Sequence, residues 1–382
     1  MDFRATEEQR MVREMVRDFA ENEIMPIASE IDRDGRFPFE TFEKMAELGI
    51  MGLQWPEEYG GAGADNVCYA IAAEEISRAC GSHGLSYAAH VSLGSSPIYI
   101  FGTDEQKRKY LTPLAKGEIF GALGLTEPEA GSDAGSTKTT AVLDGNEWVI
   151  NGAKSLITNG PIASVVITVA KTDPTARGSH GISTFIVESD TPGFKVGKKE
   201  DKFGLRGCPT SQLFYDDCRI PKENLLGEEG AGFRQILEVL DGGRISIGAM
   251  ALGLGQAALE ASIKYAKERQ QFGRPIAEFQ AIQWMIADAA TRLEAGRLMV
   301  YKAAYLEDRG KKFTKEAAMG KLFASEAAEF ACFNAMQIYA GYGYTKDYPV
   351  ERFYRDNRLT QIGEGTSEIQ RLVIARQILD TR

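Results

Sequence analysis

The spacing of apolar residues changes twice along this chain of 382 residues, and those two changes bound the folds open to it. The first stretch is helical. Thr6-Glu7-Glu8-Gln9 spells a capping box ahead of Val12, Val16 and Phe19, which share one helix face. Pro26 interrupts that helix. Residues 39–48 predict a second helix stopped by Gly49, and Asn66 is placed to cap a third over residues 67–79. Helical patterns continue over 86–101 and 104–114. After Gly121 the period shortens. Runs at 139–142 and 148–150 flank Asp144-Gly145, a hairpin signal. Asn151-Gly152 and Asn159-Gly160 predict two more turns, and 165–170, 182–187, 194–196 and 212–215 complete a set of short strands. From Phe233 the helical period returns over 233–270, 276–309, 314–340 and 366–379, with breaks at 272–275, 309–311 and 341–364. The expected architecture is mainly α with a β middle domain: an N-terminal helical domain (1–120), a small β-barrel (121–231) and a C-terminal four-helix bundle (232–382). Gly248, Ala251, Gly253, Gly255 and Ala258 crowd the first bundle helix, so a neighbour packs close against it.

Charge and composition remove several function classes. A net charge of −10 argues against a general nucleic-acid binder. No apolar run approaches the roughly 18 residues of a membrane span. Met1-Asp2-Phe3-Arg4 opens no signal-peptide apolar region. The five cysteines are an odd number without CxxC spacing, which predicts a reducing, cytoplasmic setting. His83, His90 and His180 are too scattered for a metal site, so no metal is expected.

Near the C-terminus a lone carboxylate, Glu364, sits between Gly363 and Gly365. The flanking glycines let backbone approach a ligand closely. Thr366 or Ser367 can cap the helix that follows, whose N-terminus suits an anion. Two readings stand on local features: a base on a rigid turn beside an anion site, or a surface loop with a solvated glutamate. Two other motifs carry little. Gly253-Leu254-Gly255-Gln256-Ala257-Ala258 fits a loose G-x-G-x-x-A but lies inside a helix. Gly152-Ala153-Lys154-Ser155 has the end of a Walker A loop in a β setting.

Five motifs in order carry a resemblance: T-E-P-x-x-G-S-D at 126–133, K-x-x-I-T-N-G at 154–160, R-x-x-F-G at 269–273, Q-I-x-x-G-x-G at 337–343 and E-G-T-S-E-I-Q-R at 364–371. Together the chain resembles the acyl-CoA dehydrogenase family over nearly its whole length. The resemblance implies FAD held between the β domain and the bundle, an acyl-CoA substrate, an electron-transferring flavoprotein as acceptor, and a homotetramer. It implies that Glu364 removes the α-proton, with Gly365 beside the substrate. Leu123, Leu125, Thr126 and Ser132 would line the flavin, Ser132 also touching CoA; Leu156, Ile157 and Thr158 would lie on the other side. Arg269, Phe272, Gln280, Gln337, Ile338 and Gly341 would contact a neighbouring subunit's FAD. Thr366 and Glu368 would hold the phosphate and ribose region of the subunit's own FAD, and Asp241 and Arg244 would flank the CoA path. Without the resemblance Arg269 reads as a solvated helix end, Gln337 as helix surface and Asp241 as a capping residue.

The chain departs from the family pattern at Leu156, where many members have a flavin-packing Trp, and at Gly363, where several short- and medium-chain members have Tyr. Isovaleryl-CoA dehydrogenases carry their glutamate on the helix of Asp241–Arg244, where this chain has Gly243. No Lys or Arg occurs between Arg78 and Lys107, where glutaryl-CoA dehydrogenases place an arginine, and His83 and His90 are weaker substitutes. The expected reaction is therefore dehydrogenation of a short or branched, uncharged acyl-CoA to the trans-2-enoyl-CoA. Alternatives are an acyl-CoA oxidase on the same fold, and a non-catalytic acyl-CoA-binding or assembly protein.

Overall fold

The Thr6 hydroxyl accepts the Gln9 amide at 3.2 Å while the Gln9 side chain accepts the Thr6 amide, and this capping box starts α1 (Glu7–Phe19). In this computed structural model, which describes residues 4–176 and 178–380, Val12, Val16 and Phe19 of α1 are buried. The N-terminal reading of Met1 to Phe3 lies outside the described residues. At Pro26 the chain passes through a π turn and a 3₁₀ turn into α2 (Ala28–Asp34). α3 (Phe39–Glu47) ends before Gly49, which takes φ 72°. α4 (Asn66–Ala79) is capped by Asp65, whose carboxylate accepts the Cys68 amide at 2.7 Å. Asn66, the expected cap, is already helical and donates to Asp308 instead. α5 (Gly81–Ala88) and α6 (Ser96–Phe101) are joined by a π-helical stretch within the single helix the pattern predicts. Two short helices, α7 (Asp104–Gln106) and α8 (Thr112–Ala115), complete this part.

The middle part is a curled seven-stranded sheet. Its strands are β1 (Phe120–Gly124), β2 (Thr140–Asp144), β3 (Glu147–Thr158), β4 (Ala163–Lys171), β5 (Ile182–Glu188), β6 (Phe194–Lys199) and β7 (Thr210–Pro221). The order is β1-β4-β2-β3-β7-β6, with β5 on β4. Asp144 pairs with Glu147 around Gly145-Asn146, the expected hairpin. β1 escapes the pattern because it is built of Gly and Ala rather than β-branched residues; β4 holds it in parallel. Asn151-Gly152 is not a turn. It lies inside β3 where the ladder to β7 slips between Ile150 and Gly152, and a Cβ on Gly152 would meet the Thr139 hydroxyl at 2.5 Å. Asn159, at φ 60°, does turn the chain at the end of β3.

Four helices form the C-terminal bundle: α9 (Gly232–Glu268), α10 (Gln280–Asp308), α11 (Thr314–Tyr339) and, after α12 (Val350–Asn357), α13 (Ser367–Leu379). α12 occupies part of the stretch that reads as a break. A two-residue ladder, β8 (Gln270–Gln271) with β9 (Arg274–Pro275), forms the bend between α9 and α10. The small residues of α9 are packing positions: a Cβ on Gly253 would meet the Glu74 carbonyl of α4 at 2.2 Å. That accounts for the loose G-x-G-x-x-A without a nucleotide.

Buried charge ties the helical parts together. Glu75 of α4 accepts from Arg13 and Arg17 of α1 and from Arg78, while Glu74 accepts from Arg297 and Tyr301 of α10. His90 joins the helices to the sheet. Its Nδ1 accepts the Gly121 amide at 3.2 Å, so its Nε2–H donates to the Leu114 carbonyl at 3.0 Å, which requires the neutral ring.

Burial pulls His90 down to about 4 and His83 to about 3. Unfolded histidine titrates near 6.5, so the unfolded chain takes up these protons first as pH falls. Stability from these two rings is complete above about pH 6.5 and declines from there toward about pH 4 for His90 and about pH 3 for His83. His90→Gln is expected to flatten the fall by up to about 3 kcal/mol between those limits. Urea unfolding of both proteins at pH 7 and pH 4.5 reads the difference; equal slopes would refute the assignment.

Candidate active site

Glu364 and Gly365 both take left-handed backbone, at φ 52° and 90°, before the Thr366 hydroxyl caps α13 by accepting the Ile369 amide at 3.3 Å. A non-glycine residue there is strained and persists only where its surroundings hold it. Two side chains hold this turn from behind. Lys321 Nζ donates to the Gly365 carbonyl at 2.6 Å; Gln370 Nε2 donates to the same oxygen at 2.8 Å and to the Glu364 carbonyl at 3.2 Å. The turn delivers the carboxylate against α9. Glu364 Oε2 lies 2.0 Å from where a Cβ on Gly243 would stand, so any side chain there would displace the carboxylate. That oxygen is enclosed and has no hydrogen-bond partner among the described residues. Burial pushes the Glu364 carboxyl up to about 7, against the pull of Lys321 and Arg244. A solvated surface glutamate has none of these properties, so that reading falls.

Asp241 sits inside α9, not at a cap. It pairs with Arg244 one turn on and accepts the Thr314 hydroxyl of α11. Arg244 is buried and its Nε has no partner among the described residues. The two therefore belong to the Glu364 neighbourhood, with a donor to spare for a ligand.

On the sheet, the Thr126 carbonyl accepts the Ser155 amide at 2.8 Å, which lays the 123–132 segment beside β3. Leu123 and Ile157 are buried, Leu125, Thr126 and Thr158 half-buried, and Ser132 exposed. Leu156 is thrown outward by a register slip in β3; it takes φ 58° and is 62% exposed. An exposed leucine held in strained backbone beside a hydroxyl-bearing turn is a bed for a flat apolar ring, so these residues fit a flavin. Beneath them lies a pair the sequence reading did not single out. The fully buried Lys154 donates to Glu127 Oε1 at 2.7 Å and to the Leu125 carbonyl at 3.3 Å. Glu127 also accepts from the Thr137 hydroxyl and the Lys138 and Thr139 amides. Burial alone would raise Glu127, but Lys154 and these donors outweigh it and hold the carboxyl at about 2. The Walker-like lysine is thus an internal strap for the loop. Its partner is 27 residues away, which local motif reading does not reach.

The residues expected to reach a neighbouring subunit's FAD are far from Glu364. Gln337 follows Lys321 by 16 positions on α11, about 24 Å at about 1.5 Å per residue. Arg269, Ile338 and Gly341 meet at that outer end of the bundle, with Gln337 next to Ile338, Gln280 opening α10, and Phe272 on the α9–α10 bend, 93% exposed at φ 53°. A cleft of about 480 Å³ lined by Tyr265, Arg269, Ile338, Tyr339 and Gly341 opens there. Glu368, exposed in the first turn of α13, is held below the usual carboxylate range by its own backbone amide and the Thr366 hydroxyl.

Comparison with known proteins agrees with this arrangement. The acyl-CoA dehydrogenase N-terminal, middle and C-terminal domains match residues 6–118, 122–218 and 230–379. A probable acyl-CoA dehydrogenase of Bacillus subtilis, YngJ, is 58% identical over 99% of this chain and 100% of its own. The short-chain specific acyl-CoA dehydrogenase of Clostridium acetobutylicum is 51% identical over the same shares. Among solved structures, one from work on the electron transferring flavoprotein of Acidaminococcus fermentans superposes with TM-score 0.98 at 49% identity, over 99% of this chain and 100% of that one. Butyryl-CoA dehydrogenase from Megasphaera elsdenii gives 0.97 at 43%, over the same shares. An acyl-CoA dehydrogenase from Bacillus anthracis, complexed with FAD, gives 0.92 at 38%, over 98% of this chain and 67% of that one. With all three domains matched in order and FAD as its cofactor, this chain belongs to the acyl-CoA dehydrogenase family of flavoprotein oxidoreductases that act on CH–CH bonds.

Proposed function

We propose that the protein converts a short- or branched-chain acyl-CoA to the trans-2-enoyl-CoA in the cytoplasm, passing electrons to an electron-transferring flavoprotein, with Glu364 as the base. The observation that carries this is the enclosed, unpartnered Glu364 Oε2 at the turn between bundle and substrate path. A carboxylate drawn from water and raised to about 7 is a competent acceptor for an α-proton. FAD, when bound, would supply the acceptor for the hydride of the β-carbon. The chain's own residues do the rest. Glu364 removes the α-proton, Arg244 and Asp241 orient the CoA arm, and Ser132 and Gly365 flank it. Leu123, Leu125, Thr126, Leu156, Ile157 and Thr158 form the bed, Thr366 and Glu368 the phosphate and ribose end.

Substrate size is supported by two relatives named for short chains, the C. acetobutylicum and M. elsdenii enzymes. A side chain at Gly363 would have ordinary contacts, nearest Leu359 at 3.6 Å, so its absence leaves space. His83 and His90 are buried and neutral, and neither is a cation for a distal carboxylate. The acceptor is supported by the A. fermentans structure, and the cytoplasm by five free, buried cysteines. Anaerobic flavin bleaching by a panel of acyl-CoAs tests the substrate. Glutaryl-CoA outrunning butyryl-CoA, or fast reoxidation by oxygen alone, would overturn the reading.

We also propose a homotetramer in which Arg269, Phe272, Gln280, Gln337, Ile338 and Gly341 complete a neighbour's FAD site. The support is the exposure of Arg269, Phe272, Gln280, Gln337 and Gly341, beside the buried Ile338, at the end of the bundle remote from Glu364. Light scattering on the yellow protein decides: a monomer with full FAD content contradicts it.

Glu364→Gln is expected to bind FAD and substrate yet lose roughly 10²–10⁴-fold in kcat. The base works deprotonated, so wild-type kcat/KM should rise with pH through about 7. Near-normal turnover by the variant would remove Glu364 from the mechanism.

A glutamate on α9 at 243 starts 2.0 Å from where the Glu364 carboxylate ends, so the two positions serve one volume. Glu364→Gly should be nearly inactive, and adding Gly243→Glu should restore part of the activity with altered chain preference. Rescue is partial because a misplacement near 1 Å costs about 10²-fold. A double variant that binds FAD and substrate normally but gains nothing would show that the overlay fails.

A further inference from the structure

The ammonium of Lys321 is the feature that neither the motifs nor the mechanism uses. α11 presents Ala317, Ala318, Gly320, Ala324 and Ser325 to the bundle interior, and a fully buried lysine interrupts that run. Its backbone packs against α9, where a Cβ on Gly248 would stand 3.5 Å from Lys321 Cα. A buried ammonium is expensive unless it is compensated. Among the described residues its hydrogen bond runs to one acceptor, the Gly365 carbonyl at 2.6 Å. That carbonyl belongs to the second of two consecutive left-handed residues, and the first is Glu364. Gln370 donates to the same oxygen but brings no charge.

We infer that Lys321 is a positioning residue for the base: it fastens the Glu364–Gly365 turn through the Gly365 carbonyl, and its charge favours the ionised form of the adjacent carboxylate. The inference rests on the reading of Glu364 as the base. Division of labour with Gln370 follows from the chemistry. Both side chains fix the turn, but only Lys321 carries a charge that compensates the buried anion. The other groups facing Glu364 are Arg244 of α9, neutralised in part by Asp241, and the Tyr69 hydroxyl of α4. Glu368 of α13 faces Lys321 from the solvent side. Arg244 is already engaged by Asp241, which leaves Lys321 as the cation without a carboxylate hydrogen bond among the described residues.

The sign of the effect is fixed. A nearby cation favours the ionised carboxylate, so removing it raises the pH at which Glu364 becomes a base. In Lys321→Met the acid limb of kcat/KM should move up by roughly one pH unit, and kcat below that limb should fall about tenfold. Gln370→Met loses a donor to the same carbonyl without losing charge; kcat should drop while the limb stays in place. Lys321→Gln keeps a donor but no charge, and its limb should move as in Lys321→Met, which preserves the test if the methionine variant does not fold. FAD content and far-ultraviolet circular dichroism of each variant establish that the fold is intact. An unmoved limb in a folded Lys321→Met or Lys321→Gln overturns the inference, as does a limb that moves equally in Gln370→Met. The two readings fail separately. If Glu364→Gln keeps turnover, the base assignment is wrong whatever Lys321 does. If Glu364→Gln is inactive and the Lys321 limb is unmoved, only the role of Lys321 is lost.

Discussion

Glu364 and α9 approach so closely that a side chain at 243 would displace the carboxylate, and much of the molecule is arranged around that contact. A carboxylate pressed against a helix loses its water, and burial lifts it to about 7. Such a group is a usable base only if its position is fixed and its charge partly compensated. The left-handed turn supplies the position at a cost of order 1–3 kcal/mol per strained residue. Lys321 and Gln370 hold that turn through its carbonyls, and Lys321 and Arg244 supply the compensation. Strain, burial and cationic support are three consequences of one placement.

That placement requires α9 to be rigid, and the N-terminal helices provide the rigidity. α4 lies so near α9 that the Glu74 carbonyl occupies the space of a Gly253 side chain. Once there, Glu74 and Glu75 are almost wholly enclosed and must be matched, which Arg13, Arg17, Arg78 and Arg297 do. Breaking one partner would strand a buried charge, a loss of about 3–5 kcal/mol. The sheet is attached by a different device, the neutral His90 ring bridging Leu114 and Gly121. Buried charge thus clamps helix to helix, while helix meets sheet through the neutral His90 ring and, nearer the surface, through Glu188 of β5 with Lys109 and Tyr110.

What the sequence made legible follows the range of the forces involved. Caps and stops act within a few residues, so Thr6, Gly49 and the Asp144-Gly145 hairpin could be read directly. The two changes of period mark the three structural parts because each is set by many apolar positions at once. Failures occurred where a local signal had a second use. Asn151-Gly152 has the composition of a turn, but the glycine serves a close crossing with Thr139 inside a strand. β1 lacks β-branched residues because its partners are near, and α12, at eight residues, is too short for its Val350 and Phe353 face to stand out. In the site, Glu364 stood out between its glycines. Lys321 and the Glu127–Lys154 strap did not, because each takes its meaning from a partner 27 or 44 residues away.

The long helices also explain why the expected cofactor residues fall into two groups. α9 runs 37 residues, about 55 Å at about 1.5 Å each, with Asp241, Gly243 and Arg244 near one end and Arg269 just past the other. α11 repeats the pattern, with Thr314 and Lys321 at the base and Gln337 at the far end. Each rod thus places one set of groups beside Glu364 and a second set at its remote end. Helices of this length transmit position with little bending when their flanks are packed, and α4, α10 and α11 pack α9 along most of its length. The geometry that immobilises Glu364 therefore also fixes Arg269 and Gln337 relative to it. A pair of sites sharing such rods would be held at a set distance by the bundle itself, with no loop required to adjust between them.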